Sequence, residues 1–241
     1  MFRPVQQGLR RWLGPTRYGW LKQRLDRFLF RYRRRAYAQF GEDLFLDAYF
    51  HGQATGVYVD VGAFHPRQFS NTQLLHERGW RGLNVDATPG SMRLFDALRP
   101  GDVNVEAAVS DEPGTVVLHS WGLHAENTIT AEQLRAAEHA LGPPAERIEV
   151  AARTLTEILD ASPLRDAAID LLTVDAEGAD LAVLRSLDWR RYRPRIVISE
   201  AFRRDLESLV ASKRYVFLRE QGYRLVAWHP PSVIFEREPE A

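Results

Sequence analysis

The chain has 241 residues, enough for one large domain or one domain with a short appendage, and its 45% hydrophobic and 27% charged content is that of a globular protein. The lack of cysteine excludes disulfides, thiolate metal sites, iron–sulfur clusters and cysteine nucleophiles, and accords with a reducing, cytoplasmic setting. No run of about 18 apolar residues and no secretory signal is present, so the sequence predicts neither a membrane span nor export.

A formal net charge of zero conceals two unlike parts. Up to Arg35 the chain holds eleven Arg and Lys residues against the single acid Asp26, interleaved with Trp12, Trp20, Leu21, Leu25, Phe28, Leu29 and Tyr32. Residues 1–36 therefore read as a basic amphipathic extension. Such a stretch suits a helix packed on the core by its apolar side, or one lying peripherally on anionic lipid at the inner face of a membrane. Nucleic acid is the weaker partner, because no RNA- or DNA-binding module accompanies the charge.

Residues 37–50 are expected to form a helix that brings Gln39, Gly41, Glu42 and Asp43 to the main fold. The pattern then changes to a β-rich run at 57–62, a Pro-containing loop and a helix over about 71–78. A second strand at 82–86 closes on Asp86, a second helix covers 91–98, and a third strand covers 103–109. The unit recurs about every 25 residues, which predicts a parallel sheet with helices on both faces and ligands at the carboxyl ends of the strands. From about 114 to 150 the pattern loosens into an insertion over the site, with a strand at 116–119 and a polar helix at 129–140. The core resumes with a helix at 154–160, a buried strand at 169–174, a helix at 179–187 and a strand at 195–199. A helix at 208–221 and an antiparallel hairpin, 223–228 with 232–236, close the chain.

The strongest local signal is Val59-Asp60-Val61-Gly62-Ala63, an acid and a glycine where the first strand becomes its loop. A nicotinamide site would require G-x-G-x-x-G to seat a pyrophosphate on a helix amino terminus, and Gly62 alone is present. S-adenosylmethionine has no pyrophosphate, and its sulfonium and amino acid tail suit a loop carrying Asp60. Asp86 at the second strand end is placed to accept hydrogen bonds from ribose hydroxyls. Ala63, Ala87 and, ending the third strand, Val109 extend this donor-site set. Ser70-Asn71-Thr72 reads as a helix start, with Asn71 and Thr72 available to the methionine carboxylate; Gln39 and Glu42 are placed to close over the cofactor.

The fourth strand ends in Asp175 and Glu177, followed by Gly178, two carboxylates placed to contact an acceptor or to take its proton. In an extended segment, residues two apart share a side, so both carboxylates converge on one acceptor or one divalent ion. The competing reading makes one of them the cap of the next helix. His65 on the first loop is either a general base or a structural loop residue, and Glu200 at the fifth strand end is a candidate for acceptor binding.

Several blocks, in order, carry a family resemblance: Gln39-Phe40-Gly41-Glu42-Asp43, Tyr58 to Pro66, Ser70-Asn71-Thr72, Gly79 to Ala87, and Ile169 to Gly178. In these the chain resembles the FkbM-type methyltransferases. The resemblance implies a Rossmann-like class I methyltransferase fold over residues 37–241, with a mostly parallel seven-stranded sheet and an antiparallel carboxyl-terminal hairpin. It also implies S-adenosylmethionine as donor and, as acceptor, a hydroxyl of a glycan, glycolipid or secondary metabolite. Thr173 stands where a lysine is common and Ala176 where a β-branched residue is common. A competing class is a non-catalytic membrane- or glycan-associated module that keeps the fold, against which Asp60, Gly62, Asp86, Asp175 and Glu177 all speak. A nucleic-acid methyltransferase would want an Asn/Asp-Pro-Pro-aromatic motif, which His229-Pro230-Pro231-Ser232 does not supply.

Overall fold

The computed structural model describes residues 11–14, 16–18, 20–21, 24, 34–122, 125–202 and 205–239. The chain divides into two compact units, Met1–Arg35 and Ala36–Ala241. Described strands of the second unit are β1 (Val57–Val61), β2 (Arg81–Asp86), β3 (Val103–Glu106), β4 (Ala108–Val109) and β5 (Gly114–Ser120). They continue with β6 (Glu146–Arg153), β7 (Leu171–Val174), β8 (Ile196–Glu200), β9 (Tyr223–His229) and β10 (Ser232–Arg237).

Seven of these form one sheet in the order β3-β2-β1-β7-β8-β10-β9. The first five run parallel, and β10 is antiparallel to both β8 and β9, as expected of the closing hairpin. The central strands are near-continuous apolar runs because both of their faces are covered. Alternation sends Val59, Leu172 and Val197 into one buried cluster. Their neighbours Tyr58, Leu171 and Ile196 go to the opposite face, where they meet Leu46, Phe50 and Trp80. This is the doubly wound, Rossmann-like arrangement that the repeating strand–helix pattern predicts.

Differences from the sequence expectations have local causes. The helix expected over 37–50 is confined to Glu42–Tyr49, because Gly41 enters it in a left-handed conformation at φ 90°. The third strand breaks in two: Ala107 N–H bonds to the Asp86 carbonyl, β3 pairs with β2, and β4 passes to a second sheet ordered β4-β6-β5. In that sheet β6, which the sequence reading missed, pairs antiparallel with β5 from Gly114 opposite Ala152 to Ser120 opposite Glu146. Its residues alternate without a fully buried face until Ala152, so its apolar signal is weak. The helix expected over 208–221 divides into Leu206–Val210 and Lys213–Glu220, since Ser212 caps the second by accepting from Tyr215 N–H at 3.3 Å. Among the described residues no helix is long and apolar enough to cross a membrane.

Candidate functional site

Because β1, β2, β7 and β8 run parallel, their carboxyl ends meet along one edge, and Asp60, Gly62, Asp86, Asp175 and Glu200 are carried there together. Two clefts open on this edge. The inner has about 560 Å³ of empty space and the outer about 1190 Å³, each with its open mouth included. Both have Gly62, Phe64, Ala125, Asp175 and Glu177 in their walls, so the two spaces share a partition.

The inner cleft depends on Gly62. Its φ is 78°, and a Cβ placed there would lie 1.7 Å from the carbonyl oxygen of Asp175, so β1 and the β7 loop approach only because no side chain intervenes. Asp86 accepts from Phe64 N–H at 3.0 Å and from Thr88 N–H at 2.7 Å. The Thr88 and Ser91 hydroxyls also hydrogen-bond this carboxylate, which is thereby fixed at the rim of the cleft. Val85, Val109, Leu118 and Ile129 supply apolar wall. The insertion roofs the space: Asn127 donates to the Thr88 hydroxyl at 3.1 Å and accepts from Trp121 N–H at 2.9 Å.

The outer cleft is lined by Asp60, Asp175, Glu177 and Glu200, with Phe40, Phe69 and Phe202 at exposed positions. Phe64, Phe69 and Glu177 hold left-handed backbone at φ 48°, 56° and 45°. Such conformations are costly for residues with a Cβ and concentrate at functional sites. At Glu177 the cost is offset by clamping: Gln133 donates to its Oε2 at 2.7 Å and Thr128 to its carbonyl at 2.9 Å, both from the insertion.

Crowded acids raise one another. Asp175 is an exposed residue that borders both clefts; the protein packed around it, then the charges of Asp180, Asp60, Glu42 and Glu126, push its carboxyl to about 7. Loss of hydration and then Asp175 raise Glu177 to about 8, and the same causes raise Glu200 to about 9. Beneath them Asp180 is buried, held by Arg214 at 3.1 Å and by the Ser199 hydroxyl at 3.2 Å.

Asp60 is fixed from behind. Thr72 donates its hydroxyl to Asp60 Oδ2 at 2.8 Å and accepts from Arg99 Nη1 at 2.9 Å. Arg99 is 1% exposed, and its guanidinium also reaches the Tyr58 and Ser70 hydroxyls, the Asn84 and Gln73 amide oxygens and the Pro66 carbonyl. Tyr58 in turn donates to Asp102. A buried cation thus reaches two carboxylates through hydroxyl relays while gripping the loop from Pro66 to Gln73. Burial raises Asp60 to about 6, with the Thr72 bond and the Arg99 charge opposing.

Of the residues named from sequence, Asp86, Ala87 and Val109 line the inner cleft, and Gln39, Asp60, Ala63 and Asn71 line the outer. Gly62, Asp175 and Glu177 line both. Three turn out to be supports. Glu42 takes Phe40 N–H at 3.1 Å and the Ser232 hydroxyl at 2.7 Å, tying its helix to β10. Thr72 is buried in the Asp60 relay. His65 accepts from Arg67 and Gln68 N–H at Nδ1, 3.0 and 2.9 Å, so its ring organises the loop, and burial and the nearby Arg67 and Arg99 lower its pKa.

Strand pairing alone does not put Asp175 and Glu177 on one side. β7 ends at Val174, and the left-handed turn at Glu177, not strand alternation, brings both acids to the partition. Neither caps the following helix, whose N-cap is Ala179 without a side-chain bond. Among the described residues no group of three or more acids or histidines is arranged to hold a metal ion. Thr173, where a cation was in question, instead accepts from Asn71 Nδ2 at 3.0 Å and orients that amide. Sequence reasoning missed Arg99, Gln133, Phe64 and Phe69; Arg99 and Gln133 acquire their roles from partners far away in the chain, and the two phenylalanines from left-handed backbone that no residue pattern announces.

A doubly wound sheet with a strand-end glycine, flanking carboxylates and a two-part cleft at the carboxyl ends of its strands defines an α/β protein with a ligand-sized site on that edge. Residues 60–225 match the family model described as the methyltransferase FkbM domain, and the chain belongs to that methyltransferase family. Among solved structures, a precorrin-6y C5,15-methyltransferase from Geobacter metallireducens is similar at 14% identity. The match covers 84% of this chain and 91% of that one, with a TM-score of 0.42. Comparison with curated proteins gives no match.

Proposed function

We propose that this methyltransferase uses S-adenosylmethionine and methylates a hydroxyl oxygen of a glycan, glycolipid or related hydroxylated metabolite. The observation that carries the reading is the partition, where Asp175 and Glu177 border an inner cleft suited to a nucleoside and an outer cleft suited to an acceptor. S-adenosylmethionine, when bound, supplies a methyl group activated by an adjoining sulfonium.

The residues present fit that donor. Gly62 lets β1 and the β7 loop close into the wall of the inner cleft, Asp86 presents a carboxylate there to ribose hydroxyls, and Val109, Leu118 and Ile129 offer apolar surface to a base. Asp60 and Asn71 belong to the amino acid end, as a carboxylate for an ammonium and an amide donor for a carboxylate. The chain's remaining tasks are to align the acceptor oxygen and to take its proton. Glu177 suits the second task, because a carboxyl raised to about 8 is basic enough to accept a proton near neutral pH. The acceptor class is supported by carboxylates able to accept from sugar hydroxyls and by Phe40, Phe69 and Phe202, which offer faces to the C–H-rich side of a sugar ring.

Isothermal titration of the protein with S-adenosylmethionine tests this. One site per chain is expected, weakened about tenfold or more in Asp86→Asn, as loss of a charged hydrogen-bond acceptor requires. No heat of binding from the unaltered protein would sink the proposal.

A further inference from the structure

The catalytic reading leaves the first unit, Met1–Arg35, without a task. Its eleven basic residues face one acid, whereas residues 36–241 hold 21 Lys and Arg against 31 Asp and Glu. The charge is therefore concentrated in the segment that is also richest in unprotected tryptophan: Trp12 is 82% exposed and Trp20 60%. Residues 11–14, 16–18, 20, 21 and 24 are helical, and Leu13, Trp20 and Leu21 line an open apolar hollow with Thr16 and Arg17. The Arg24 guanidinium lies 4.6 Å from the Trp20 ring centre, pairing a cation with an exposed indole. Further along the sequence Leu21, Leu25, Phe28 and Tyr32 recur at three- and four-residue spacing between Lys22, Arg24, Arg27 and Arg31.

We infer that this unit docks the enzyme on an anionic bilayer, with Trp12, Leu13, Trp20 and Leu21 entering the headgroup boundary and the arginines lying against lipid phosphate and carboxylate. An indole is amphipathic and favours that boundary, where an apolar interior and an anionic surface are met together. A nucleic acid would satisfy the cations and leave the apolar hollow in water. Binding to a bilayer satisfies both, so charge complementarity and exposed apolar area select the same partner. The inference is independent of the methyl-transfer reading and stands or falls without it.

The test is sedimentation of the full chain with phosphatidylcholine vesicles, with and without phosphatidylserine. Binding is expected only with phosphatidylserine, and it weakens as salt is raised. The double variant Arg17→Glu with Arg24→Glu changes four units of charge and is expected to bind at least about a hundredfold more weakly, at roughly fivefold per unit. Trp12→Ala with Trp20→Ala is expected to weaken binding at unchanged charge. All four residues are exposed, so the thermal melt of each variant should match that of the parent and separate lost docking from lost folding.

Failure of the full chain to sediment with phosphatidylserine vesicles overturns the inference. So does equal binding to both vesicle types, or full binding by the charge-reversed chain. Retention on heparin or duplex DNA without vesicle binding would assign the unit to a soluble polyanion instead.

Discussion

Glu177→Gln is expected to lower kcat by about 10²–10⁴-fold, the range by which a positioned general base accelerates proton removal, while donor affinity in titration stays close to that of the parent. The glutamine keeps the shape and the Gln133 contact and removes only the basic oxygen. In the parent, kcat should rise with pH up to about 8 and then level, because Glu177 accepts a proton only once ionised and its carboxyl is raised to about 8 by lost hydration first and by Asp175 second. Asp175 and Glu200, raised to about 7 and about 9, titrate with it as a group and broaden that limb. The variant should show no such limb.

Stability moves the other way. In the unfolded chain a glutamate ionises near 4.5, so between that value and about 8 the folded protein retains a proton that the unfolded chain has released. Folding stability contributed by this group is therefore present at low pH and lost as pH rises through that window. Glu177→Gln removes the loss, and its melting temperature should exceed the parent's at pH 9 and equal it at pH 4. A variant that keeps activity and the alkaline rise would exclude Glu177 as the base.

Arg99→Met is expected to cost about 3–5 kcal/mol of folding stability, as removal of one member of a buried charged network does. For a unit of this size that lowers the melting temperature by roughly 10 °C. Six partners on the Pro66–Gln73 loop, β1 and β2 lose a donor at once, and Asp60 and Asp102 lose the cation that reaches them through Thr72 and Tyr58. Because the Arg99 charge helps to keep Asp60 ionised, its removal moves the Asp60 carboxyl above about 6. Donor affinity, measured in a variant stable enough to titrate, should then begin to fall at a higher pH on acidification than in the parent. Arg99→Lys restores the charge without the planar fork, so it should recover much of the pH behaviour and only part of the stability. Unchanged urea melts for Arg99→Met would contradict this account.

Much of the site was legible because its signals are local. An apolar run ending in Asp60 and Gly62, another ending in Asp86 and a third followed by Asp175 each announce a strand that turns into a loop, and parallel pairing sets such ends on one edge. The repeat of strand and helix likewise specified the Rossmann-like sheet, since alternation and helical period are properties of neighbouring residues. Tertiary structure alone decided which residues face a ligand and which support those that do. His65 and Glu42 have the chemistry of site residues, yet backbone N–H groups and Ser232 occupy them. Arg99 has no signature at all, because its six partners are drawn from positions 58 to 84 and meet only when the loop folds over β1 and β2. The left-handed turn at Glu177 and its clamp by Gln133, 44 residues earlier, depend in the same way on contacts distant in sequence. Periodicity can state where a strand ends, but the direction and basicity of a side chain follow from everything packed around it.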